Sequence, residues 1–167
     1  MTNRYALADY QITVSLPDEI NARMIARNAG LGNMTSLTIG GPGEGEGKYG
    51  SFVGSITAKR NKELWTTEGD PTGSWVHSKN LDRTGSVEVE LTQVSDQTIQ
   101  LAYLCDAYES VQDAVGGLHI EIKNIASGEK VVDAIDCYIN KLPDLPLKDT
   151  ASRLTWTFTC GRVMFYI

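Results

Sequence analysis

Apolar and polar residues alternate along most of this chain. Tyr10, Ile12, Val14 and Leu16 interleave with Asp9, Gln11, Thr13 and Ser15, the pattern of a half-buried strand that Pro17 ends. Leu37 to Ile39 repeats it briefly. Phe52, Ile56 and Ala58 then alternate with Val53, Ser55, Thr57 and Lys59, and Val87, Val89 and Leu91 with Glu88, Glu90 and Thr92. Each of these two strands has one wet face and one apolar face, as in an antiparallel sheet with one side in water. Three further strands are predicted over 119–125, 130–139 and 154–166, the first two joined by a hairpin turn at residues 126–129.

Helical spacing is rarer. Ser95 or Asp96 caps a segment in which Leu101, Leu104, Cys105, Tyr108 and Val111 form one stripe, stopped by Gly116-Gly117. Residues 18–30 have acids after Pro17 and a glycine at the end. Their stripe of Ile20, Met24 and Ile25 is thin, however, and suits a short helix or a loop. The order does not alternate strand and helix regularly, which argues against a parallel α/β sheet. We expect a mainly β, sandwich-like or barrel-like domain with one flanking α-helix, spanning residues 1–167 with a flexible glycine-rich arm at about 40–50.

Length and charge narrow the function. The 167 residues suit one domain, with no apolar run near the ~20 residues of a membrane span. Met1 reads as a start without a signal peptide, implying folding in a cytoplasm. Residues 1–83 carry nine acids and nine bases, whereas residues 84–167 carry twelve acids and six bases. Between Arg83 and Lys123 no base occurs, which disfavours tight binding of nucleic acid. The three widely spaced cysteines form no C-x-x-C pair and read as buried thiols.

Gly45-x-Gly47-x-x-Gly50 matches a dinucleotide fingerprint in letters only. A nucleotide loop needs a helix after its last glycine, whereas SFVGSITAKR reads as a strand. Glu44 and Glu46 would repel phosphate, and no G-K-[ST] follows. The segment reads instead as a long, soluble hairpin tip ordered by a neighbouring protein. His77, placed in a polar turn, and His119, placed in a strand, show no ligand partner at metal spacing, and no nucleophile elbow occurs. Glu88 and Glu90 share a strand face, which a solvated sheet explains without acid–base chemistry. Neither a cofactor nor a metal is expected. Trp65, Trp75 and Trp156 suit core packing or, where exposed, a sugar-stacking surface.

Residues 52–104 contain a strand ending in Lys59-Arg60-Asn61, then Trp65, Gly69-Asp70, Gly73, Ser78, Gly85, an alternating strand, Gln93 and Ser95. With YALADYQITVSL near the start and FTCGRVMFYI at the end, they resemble the tail tube proteins of contractile-tailed bacteriophages. The resemblance implies rings of six copies whose inner sheets join into one β-barrel. The rings stack into a hollow tube inside a sheath, and DNA passes through as transient cargo. Implied partners are further copies, the sheath protein, and tape measure and baseplate proteins. The implied location is the virion, after assembly in the host cytoplasm.

On that reading Ser55, Thr57, Glu88, Glu90 and Thr92 face the lumen. Gly43, Glu44, Gly45, Glu46, Gly47 and Lys48 contact a neighbouring ring or subunit, and Leu101, Leu104, Cys105 and Tyr108 seat the helix. Two alternatives stay open: the tube of a related contractile machine (a bacteriocin or type VI secretion system), or a monomeric β-sandwich that binds glycan through Trp65 or Trp75.

Overall fold

The computed structural model describes residues 5–20, 22, 36–40, 53–109 and 116–167. A 3-10 turn at Leu7–Asp9 leads into β1 (Tyr10–Ser15) and, further on, β2 (Ser36–Gly40). β3 (Ser55–Arg60), β4 (Trp65–Gly69), β5 (Trp75–Lys79) and β6 (Gly85–Thr92) precede helix α1 (Asp96–Glu109). β7 (Leu118–Asn124), β8 (Glu129–Ile139) and β9 (Arg153–Phe165) complete the chain. Seven strands form one antiparallel sheet in the order β2-β1-β7-β8-β9-β6-β3, and β4 and β5 form a separate two-stranded ribbon. The protein is mainly β, with α1 against the sheet. Residues 18–20 and 22 are helical, and the rest of 18–30 lies outside the described residues.

One face of the large sheet is apolar from edge to edge. Leu37 and Ile39 of β2, Ile12 and Val14 of β1, Ile120 and Ile122 of β7, Trp156 and Phe158 of β9, and Val87 and Val89 of β6 are all buried there. The period of two in these strands fixes the register, because a one-residue slip would turn every one of these side chains into water.

α1 covers part of that face. Ser95 Oγ accepts a hydrogen bond from the Thr98 amide at 3.1 Å, capping the helix as its sequence predicts. Thr98, Leu101, Leu104 and Ala107 point inward at three-residue intervals. Cys105 and Tyr108 pack on the core while partly exposed, and the Tyr108 ring meets Tyr138 edge-on at 5.5 Å. Burial, then Glu109, pushes the Cys105 thiol up to about 11, leaving it protonated.

The helix packs closest against β2, an edge strand, and β6, five places away in the sheet. The sheet therefore curls. A shared change of face helps it bend: Ala134 pairs with Val163 and Cys137 with Cys160, all four buried, although three residues separate successive pairs on each strand. Asp136, with φ of 55°, lies between them beside Gly161. The pairing of β7 with β8 also shifts register there. Such irregularities sharpen strand bending. The two edges, β2 and β3, are not hydrogen-bonded to each other among the described residues.

Candidate functional site

The wet face of β3, β6 and β9 gathers the residues expected on a lumen. Ser55 lies opposite Glu90 and Thr57 opposite Glu88, while Thr92 is paired on its other side with Arg153. β9 adds Thr155 and Thr157, facing Glu90 and Glu88. The result is a patch of hydroxyls with two carboxylates. Its charge is not the bare acidity that the base-free window after Arg83 suggests. Lys59 Nζ stands 3.5 Å from Glu88, and Arg153 Nε stands 3.7 Å from Glu90. Both cations come from strands distant in sequence, so the local window misses them.

The expected arm, Gly43 to Lys48, lies outside the described residues. A different projection is well defined. Every residue from 61 to 79 is exposed, in a segment that contains both strands of the β4–β5 ribbon. This corrects the reading of His77 as a turn residue: His77 is in β5, opposite Thr67, whose hydroxyl lies 2.8 Å from its Nδ1. Trp-Thr-Thr-Glu-Gly has no apolar alternation, because a ribbon with no core behind it has no buried face to encode.

Side chains hold the ribbon in shape. At its base the Asn61 amide donates to the Thr84 carbonyl at 3.0 Å and its side-chain amide to the Thr84 hydroxyl at 3.1 Å. Arg83 donates to the Asn80 carbonyl at 2.7 Å, and Asp82 accepts from the Thr84 amide and hydroxyl. At the tip, Asp70 Oδ1 accepts from the Thr72 amide, the Thr72 hydroxyl and the Ser74 amide at 2.9, 2.6 and 3.0 Å. These bonds, the Thr72 hydroxyl foremost, hold the exposed Asp70 carboxyl below its ordinary value. Trp65 and Trp75 occupy one face of the ribbon, on either side of the Thr67–His77 pair, and are 55% and 68% exposed. Trp156, by contrast, is a core residue.

The reading that His119 has no ligand partner also needs correction. Glu121 follows it on the same face of β7, and Asp133 stands beside both from β8, in contact with His119 Nε2. One ligand atom from each lies within 4.8 Å of the others. Ammonium groups occupy these carboxylates: Lys130 Nζ is 3.2 Å and Lys123 Nζ 3.5 Å from Glu121, and Lys130 is 3.8 Å from Asp133. Burial raises the Glu121 carboxyl, but Lys130 and then Lys123 outweigh it and hold it below its ordinary value. An arriving cation would have to displace both lysines, so the arrangement is a cross-strand ion network.

At the other end of the apolar face is a cleft of about 250 Å³, lined among others by Tyr5, Tyr10, Ile56, Ile122, Phe165 and Ile167. It separates β3 from β7 and β8, across the curl of the sheet.

The described residues define a mainly β class of domain, a curled sheet with one hydroxyl-lined face and a projecting ribbon. The comparisons with known proteins sharpen that class. A family model for the bacteriophage PhiTE tail tube protein matches residues 29–166, and the chain belongs to that family. Among solved structures, that of the anti-feeding prophage cap (the tube terminating cap) is similar over 99% of this chain and 94% of that chain, with 13% identity and a TM-score of 0.47. No curated protein sequence matches. The family gives the chain a structural, tube-type role as a component of a phage tail. Among the described residues no helix is long and apolar enough to cross a membrane.

Proposed function

We propose that this protein is the repeating subunit of the inner tube of a contractile phage tail. Copies join into rings of six, the rings stack, and DNA leaves through the bore. The observation that carries this reading is the seven-stranded sheet, whose edges β2 and β3 pair with no further strand among the described residues, in a member of a tail tube family. Unpaired strand edges invite pairing with another chain, and joining copies edge to edge around a ring removes the exposure. The hydroxyl and charge-paired face of β3, β6 and β9 then lines the bore, with Ser55, Thr57, Glu88, Glu90 and Thr92 towards the DNA. Paired charges and hydroxyls offer the phosphates no net attraction, which suits a conduit. Sheath, tape measure and baseplate proteins are the partners, met during assembly in the host cytoplasm.

Negative-stain electron microscopy of the purified protein at high concentration, alone and with the tail proteins encoded beside it, tests the reading. Hollow tubes of uniform width with sixfold end views are expected. Particles that remain monomeric under both conditions would overturn it.

A further inference from the structure

The projecting ribbon and the apolar cleft are complementary, and neither is covered by the other described residues of the same chain. A two-stranded ribbon is marginal in water on its own, yet this one displays two tryptophans on one face with no core behind them. They stand roughly 14 Å apart along the strands, with the shorter Thr67 and His77 between. The hydrogen bonds at base and tip fix the backbone beforehand, so docking costs little ordering. The cleft is the matching hole. An apolar cavity of about 150 Å³ takes a benzene ring, and one of about 250 Å³ with aromatic and aliphatic walls has room for an indole. No ribbon residue lines it.

Charge favours the same pairing. Glu68 and Asp70 flank Trp75 at the ribbon tip. At the cleft the Arg60 guanidinium stands 5.9 Å over the Phe165 ring, donating to the Val163 carbonyl at 2.9 Å. An indole entering there brings carboxylates towards a cation.

We propose that the Trp75 end of the ribbon inserts into the Ile56–Phe165 cleft of a second copy of this chain, with Trp65 packing on its rim. The inference rests on the tube reading and adds the contact that propagates it. A chain carrying knob and hole on different surfaces makes a head-to-tail contact, and such contacts continue from copy to copy instead of closing in a pair. Tyr5 and Ile167, 79% and 97% exposed at the cleft, become covered on docking.

The test uses the full chain. Trp75 is replaced by photoreactive p-benzoylphenylalanine, and isotope-labelled and unlabelled copies are mixed, assembled, irradiated and mapped by mass spectrometry. Mixed-label links from position 75 to the segments holding Tyr5–Tyr10 or Val131–Val132, or to Phe165, are expected. In parallel, Trp65→Ala/Trp75→Ala and, on the cleft side, Tyr5→Glu/Ile167→Glu are compared with the parent by circular dichroism and sedimentation. Both remain folded, since the altered residues are exposed, and both need an at least about tenfold higher concentration to assemble. Links within one copy, links to another surface, or parental assembly by the tryptophan variant would overturn the inference while leaving the tube reading intact. A parent that never assembles, but binds a glycan array through these tryptophans, would overturn both.

Discussion

At the scale of single residues, the closest approach to a glycine among the described residues is where the ribbon joins the sheet. A Cβ built on Gly85 would lie 2.1 Å from the Lys59 carbonyl oxygen and 2.9 Å from a Val163 methyl. The obstacle is backbone, so it cannot swing aside. We expect Gly85→Ala to cost about 3 kcal/mol or more, measured by urea denaturation of the soluble protein. Gly73 is the contrast: at φ of 89° it has open space, so an added methyl meets only backbone strain. Gly73→Ala is expected to cost about 1–2 kcal/mol, confined to the ribbon tip. Equal losses for the two substitutions would show that the close approach at Gly85 is relieved by backbone movement. Neither cost is legible in the sequence, where Gly85 stands only between a turn and a strand.

At the scale of elements, a pH dependence belongs to the ribbon tip. Asp70 titrates below its ordinary value because it accepts hydrogen bonds from Thr72 and Ser74. A depressed carboxyl stabilises the fold above its unfolded value of 3.8, and that contribution disappears as pH falls through the lower folded value. The tip is therefore expected to hold its shape from neutral pH down to about 4 and to loosen below that. Amide protection relative to the intrinsic exchange rate at Thr72 and Ser74 reads this directly, and Asp70→Ala should show at pH 7 the loss of protection that the parent shows in acid. Protection at those amides that is unchanged in Asp70→Ala would remove the carboxylate from the account.

The same ribbon marks the limit of what the sequence reveals. The seven strands of the large sheet and α1 are legible because each has a buried side, and burial writes a period of two or three to four into the residues. Every residue of β4 and β5 is exposed, so Trp65-Thr-Thr-Glu-Gly carries no period. The partners of the candidate site were hidden for a related reason. Lys59 and Arg153 reach Glu88 and Glu90 only because β3 and β9 flank β6, and Asp133 reaches His119 only because β8 lies beside β7. Alternation assigns a face to a residue, but strand order decides its neighbours.

At the scale of the whole molecule, the balanced face of β3, β6 and β9 makes a prediction about transport. Glu88→Lys/Glu90→Lys turns two acids and two bases into four bases on one face. The fold should tolerate it: Glu88 and Glu90 are half-buried on the wet face, their partners Lys59 and Arg153 are more than half accessible, and such bridges contribute about 0–1 kcal/mol. The edges of the sheet and the ribbon are untouched, so tubes should still assemble. What changes is the field in the bore. A lumen repeatedly lined with unpaired cations attracts phosphates, and passage becomes a series of contacts made and broken. Release of the genome, followed with a fluorescent dye after triggering, is expected to slow in low salt and to recover as added salt screens the attraction. Unchanged release at every salt concentration, from particles with normal tails, would mean that this face points away from the DNA. The open edges would then have to join with the opposite curvature, and the hydroxyl-lined strands would meet the sheath instead of the bore.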